Sequence, residues 1–89
     1  MTMIEPSISH YPRIERVEPG MGPDYQLGDI LMEVGGNWKY VLIGGGRDIL
    51  RAYVIPVFGT MDLPRSHADQ YVKVGKWDFK RNKEIEDGK

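Results

Sequence analysis

Ser66, His67 and Asp69 are the residue types of an acyl-transfer triad: a hydroxyl nucleophile, an imidazole base and an orienting carboxylate. Working triads draw these groups from distant parts of a chain so that they converge on one bond. Three side chains within a single turn point in different directions. The sequence therefore predicts Ser66 as a weak helix cap, with Asp69 three residues on, and His67 as a surface residue. The other histidine, His10, sits among prolines with no evident partner. With two histidines and no cysteine, a zinc site lacks the three closely spaced ligands it needs. Asp62, His67 and Asp69 would meet on a metal only through a geometry that the spacing does not announce. Gly44-Gly45-Gly46 fails as a phosphate loop, because a dinucleotide fingerprint needs glycine at position 49 and Ile49 stands there. No Gly-Lys-Ser/Thr follows it either, which excludes a P-loop. The expectation is no catalytic residue, no metal and no cofactor. The triglycine reads as a flexible hairpin, with Arg47 beside its amides as the remaining candidate for holding a small anion.

Those residues lie in a stretch from Gly28 to Phe79 that reads as short apolar strands punctuated by glycine. Asp29 to Val34 leads into Gly35-Gly36-Asn37, Trp38 to Ile43 into Gly44-Gly45-Gly46, and Ile49 to Phe58 into Gly59. Runs of this length, rich in Val, Ile, Tyr and Trp, favour sheet over helix. Gly35-Gly36-Asn37 supplies the positive φ of a tight hairpin, and Gly44 to Asp48 makes a looser one. Pro56 lacks an amide donor, so the third strand ends, bulges or becomes an edge there. Leu63 to Tyr71 carries a short helical turn, and Tyr71 to Trp77 alternates as a closing strand.

Flanking segments differ. Residues 1–27 contain four prolines and form a proline-rich arm, anchored by Ile4, Ile8, Tyr11, Ile14 and Val17. Only Ile14 to Val17 alternates as a strand. Residues 80–89 hold seven charges and one aliphatic, Ile85, and read as a solvated, flexible tail.

Composition narrows the function. Eighty-nine residues make one domain, and a domain this small buries only about 60% of its unfolded surface. Twelve basic and thirteen acidic side chains give a net charge of −1, interleaved along the chain. No segment is basic enough to attract nucleic acid by charge alone. No apolar run approaches the ~20 residues of a membrane helix, and no signal-peptide pattern opens the chain, so the expectation is a cytoplasmic protein.

Strand alternation supplies the candidate surface. Leu50, Ala52 and Val54 share one face of the third strand, and Ile49, Arg51, Tyr53 and Ile55 the other. In the second strand, Val41 and Ile43 oppose Trp38, Tyr40 and Leu42. In the closing strand, Val72 and Val74 oppose Tyr71, Lys73 and Trp77. Both faces are rich in large apolar groups, where a solvated face would alternate with polar ones. The outer face therefore needs cover from the arm, from a second copy or from a partner. Trp38, Tyr40, Arg47, Arg51, Tyr53, Ile55, Tyr71 and Trp77 are the expected partner-binding residues. Their aromatics, with Arg47, Arg51, Lys73 and Lys76, also suit bases and phosphates, which keeps nucleic acid as an alternative.

The order of strand, hairpin, strand, wide loop, strand, helical turn and closing strand resembles the SH3-like small barrel. Leu27-Gly28-Asp29-Ile30 and Tyr71 to Asp78 look like the first and last strands of small SH3-like proteins common among phage and prophage accessory genes. The resemblance covers about fifty of the residues and lacks the acidic loop and paired tyrosines of peptide-binding SH3 domains. The expected fold is an all-β, SH3-like barrel of four to five strands with one short helical turn and an N-terminal arm. The expected function is a non-enzymatic binding protein, a phage accessory protein that inhibits a host protein by occupying its surface. Two alternatives stand beside it: a nucleic-acid-binding or transcription-modulating module, and a homo-oligomer whose Gly44–Asp48 loops sequester a small anion.

Overall fold

The computed structural model describes residues 12–22, 24–55, 57–68 and 70–85. The elements are β1 (Asp29–Glu33), β2 (Lys39–Gly45), β3 (Ile49–Ile55), β4 (Gly59–Pro64), the one-turn helix α1 (Arg65–Ala68), β5 (Tyr71–Asp78) and β6 (Lys83–Glu84). Their order across the sheet is β4-β3-β2-β1-β5-β6, antiparallel throughout. Hairpins join β1 to β4 in succession, and the α1 connection carries the chain back to set β5 beside β1. Among the described residues no ladder joins β4 to β5 or β6, so the sheet is open at both ends.

Local sequence explains these boundaries. β3 stops at Ile55, the residue before Pro56. Gly35 takes φ 83° in the β1–β2 turn, as a tight hairpin demands. β4 was not anticipated as a strand, although Thr60-Met61-Asp62-Leu63 alternates. Met61 and Leu63 pack into the core while Thr60 and Asp62 are exposed. Ser66 lies inside α1 and is exposed, so the expected cap is not its role, and Asp69 lies outside the described residues. The Arg65 amide instead donates to the Asp48 carbonyl at 2.9 Å.

Both sheet faces are apolar, as the alternation predicts. One carries Leu31, Tyr40, Leu42, Leu50, Ala52, Val54 and Leu63, covered by Met21 and Ala68. The other carries Ile30, Val41, Ile43 and Tyr53, flanked by Ile55, Trp77 and Phe79.

The arm joins the sheet. β1 pairs with β2 only as far as Val41, and the Gly28 amide closes that side at the Leu42 carbonyl. Past that point residues 15–18 take β1's place alongside β2. The Glu15 amide donates to Ile43, Gly45 donates to Arg16, and Glu18 donates to Gly45, at 2.6, 3.1 and 2.8 Å. Val17 and Gly45 form a parallel bridge, and Pro12 is fully buried. Glycine is what lets the two backbones meet: a Cβ on Gly44 would stand 2.5 Å from the Arg16 carbonyl oxygen. The triglycine thus serves close packing where the sequence suggested flexibility. The arm's expected anchors Ile4, Ile8 and Tyr11 lie outside the described residues.

The C-terminal segment corrects a second expectation. Residues 80–85 turn back instead of trailing into solvent, and Lys83–Glu84 pairs with Trp77–Asp78. Asn82 makes the turn at φ 56°, a conformation asparagine tolerates. Glu84 then reaches over Gly75, where a Cβ would stand 2.7 Å from its carboxylate, and meets Lys39 Nζ at 2.9 Å. Charge that looked merely solvating is spent on a specific clasp.

Gly44→Ala tests the arm's place in the sheet. The added methyl meets backbone rather than a yielding side chain, so we expect a loss of about 1–3 kcal/mol in unfolding free energy. Trypsin should cut faster after Arg13 and Arg16 in the variant than in the wild type. Unchanged stability and cleavage would mean that the arm is not packed on β2.

Candidate functional site

The eight expected partner-binding residues do not form one surface. Tyr40 and Tyr53 are 6% and 5% exposed and belong to opposite faces of the core. Tyr71 meets Tyr40 edge to face, with ring centres 5.2 Å apart. Burial, then Tyr40 and Glu33 nearby, push the Tyr71 hydroxyl above its ordinary pKa. Ile55 and Trp77 flank the face opposite Tyr71, although alternation alone places Tyr71, Ile55 and Trp77 together. A β-bulge at Val74 is the reason: Leu31 pairs with Lys73 and Ile30 with Gly75, so the face changes partway along β5. Trp38 is exposed in the β1–β2 connection, and Arg47 is exposed in the β2–β3 connection, packed over Gly20. Arg51 is occupied by Glu15, Asp62 and Thr60 at 3.1, 2.8 and 2.9 Å. Its hydrogen bonds to Asp62 and Glu15 hold its pKa above the ordinary value.

Neither are the glycine amides at Gly44–Asp48 arranged for an anion. Gly45 donates to Arg16 and Gly46 to Ile49. The adjoining groove of about 550 Å³ is lined by Arg16, Arg47 and Arg51 but also by Glu15, Glu18, Asp48 and Asp62. That balance selects no charge.

The bulge at Val74 has an electrostatic consequence. Lys73 and Lys76 are an odd number apart and would face opposite ways in a regular strand. With one extra residue between them, both reach Asp29, at 3.4 and 2.9 Å. Asp29 is 5% exposed and also accepts the Gln26 amide at 2.9 Å. Burial alone would raise its carboxyl, but the Gln26 amide and the two lysines outweigh it and hold the pKa below the ordinary value. This clasp ties β1, β5 and the 24–28 loop together. The sequence signal was the pair of lysines opposite a lone acid at the start of β1, legible only with the bulge known.

Two further places stand out among the described residues. The outer edge of β4 has no strand beside it among the described residues. Exposed Val57 and Phe58 stand at its start, and exposed Ile49 pairs beside Pro64 at its end. Phe58 sits at φ 63°, in the left-handed region. For a side-chain-bearing residue this conformation costs roughly 1–2 kcal/mol, and glycine would adopt it freely. The second place is the cleft between α1 and β5, where Arg65 and Lys73 face one tyrosine ring. There, among the described residues, the buried Arg65 Nε and Nη2 have no hydrogen-bond partner. Orphaned buried donors cost on the order of 1–3 kcal/mol each. Sequence reading passed over Phe58 and Arg65 because neither lies in a motif.

Asp29→Asn tests the lysine clasp. A lowered native pKa means stability that is fully present above about pH 4 and is lost as pH falls through the native value. We expect the variant to be less stable at pH 7 by about 1–2 kcal/mol, since the half-exposed lysines are screened. Its stability should also change less than the wild type's on acidification. Equal slopes would contradict the clasp. Among the described residues, no helix is long and apolar enough to cross a membrane. Comparison with protein-family models, with curated proteins and with solved structures finds no match to this chain.

Proposed function

We propose that this chain is a non-enzymatic binding module that engages a protein partner along the open edge of β4. The observation that carries the reading is Phe58, an aromatic held at φ 63° and 47% exposed where that edge begins. Backbone strain of this kind persists where the surrounding structure imposes it, and it gathers at binding and switch positions. An unpaired edge offers a row of amides and carbonyls to an extended segment, and flanking apolar groups supply the pockets for its side chains. Phe58 with Val57 at one end and Ile49 at the other bracket six residues of strand in that way.

Placement of β5 beside β1, with α1 between β4 and β5, supports the SH3-like assignment made from the sequence. On that assignment the protein is a phage or prophage accessory protein acting in the host cytoplasm, where occupying a surface inhibits without any catalytic group. The nucleic-acid reading is the weaker one. Tyr40 and Tyr53 are buried away from bases, and Arg51 and Lys76 are paired with acids.

The test is affinity capture from source-cell lysate with the wild type and with Phe58→Gly in parallel. Relief of strain should leave the variant's thermal midpoint equal to or above the wild type's. A partner retained by the wild type should be lost from the variant. Identical retention by both proteins would remove Phe58 and the β4 edge from the interface.

A further inference from the structure

Arg65 opens α1, and its guanidinium carbon lies 5.3 Å from the centre of the Tyr25 ring. Lys73 Nζ, from β5, lies 5.4 Å from the same centre. Together with Leu31, Tyr71 and Asp24 they line a cleft of about 380 Å³, a size that suits a small organic molecule. Nε and Nη2 form one edge of a guanidinium, the edge that receives both oxygens of a carboxylate or phosphate side by side. On Arg65 neither atom of that edge has an acceptor among the described residues. Lys76, the neighbouring cation on β5, is committed to Asp29. Lys73 is half exposed, donates to the neutral Asp24 carbonyl and holds Asp29 at 3.4 Å, so part of its charge remains to be shared at the mouth of the cleft.

We propose that this cleft binds a small anion that bears one carboxylate or phosphate group on an aromatic body. The Arg65 edge takes two of its oxygens, Lys73 neutralises it, and Tyr25 and Tyr71 wall the ring. Asp24, the one acid lining the cleft among the described residues, disfavours a second anionic group on the ligand. Nε and Nη2 are closed to solvent in the free protein. Binding therefore turns the guanidinium toward the cleft it already lines, exchanging two orphaned donors for a bidentate pair. This site does not depend on the β4 edge being a protein interface, and Phe58→Gly should leave it intact.

The experiment is a titration of the full-length, ¹⁵N-labelled protein with phenyl phosphate and with benzoate, following the arginine Nε–H signals. Inorganic phosphate and acetate serve as probes without the ring. The Arg65 signal is identified by its absence from Arg65→Lys, and Lys73→Met provides a second variant that spares the buried guanidinium. A saturable shift of the Arg65 signal with phenyl phosphate, benzoate or both is expected, and which of them acts tells phosphate from carboxylate. Inorganic phosphate and acetate should bind at least about tenfold more weakly, and each variant should weaken binding by a similar factor. No saturable shift with either ring-bearing probe would overturn the proposal. So would equal affinity in Lys73→Met, or equal affinity for the ring-less ions.

Discussion

A sheet with two apolar faces is the constraint on which the rest of this structure depends. Among the described residues the six-stranded sheet has no second sheet to pack against, yet Leu42 and Ile43, neighbours in β2, are both buried on opposite sides. Burying each such side chain contributes about 1.5–3 kcal/mol, so leaving either face bare would remove much of a small domain's margin. Irregular chain has to do the covering. Met21, Tyr25, Leu27 and Ala68 close one side, while Trp77 and Phe79 flank the other. Residues 15–18 meanwhile fill the vacancy beside β2 that β1 is too short to occupy.

Small residues and one bulge make that covering possible. Gly44 lets the arm's backbone touch β2, and Gly75 opens the channel through which Glu84 reaches Lys39. The bulge at Val74 gathers Lys73 and Lys76 on Asp29. Each clasp ties a covering segment to the sheet and engages charge that would otherwise be free, Lys76 on Asp29 and Lys39 on Glu84. Chemistry is left where the clasps stop: at the strained start of β4 and at the Arg65 cleft.

Much of the architecture was legible in the sequence, and the misses share a cause. The strand runs, the tight turn at Gly35, the end of β3 before Pro56 and the two-sided alternation in β2 and β3 are local features, set by neighbours along the chain. Tyr71 was assigned to the wrong companions because a bulge depends on pairing with β1, which periodicity within β5 does not contain. Residues 80–85 read as a tail because charge density hides a partner forty-five residues away in Lys39. β4 was missed for a different reason: glycine and proline bracket it, and its alternation runs for only four residues. The candidate site was hardest. Arg65 and Phe58 are unremarkable as residue types, and what distinguishes them is an empty hydrogen-bonding edge and a backbone angle.

Native-state hydrogen exchange at the Glu15, Glu18 and Gly45 amides tests the central claim most directly, that the arm is an integral part of a sheet buried on both faces. These three amides make the arm–β2 bonds. If the arm is integral, they exchange only through global or near-global opening, with protection close to that of Leu42 and Val54 in the centre of the sheet. Exchange of all three at rates near those of an unstructured peptide, while Leu42 and Val54 stay protected, would contradict the account. The place beside β2 that β1 is too short to occupy would then have to be filled by something other than this arm.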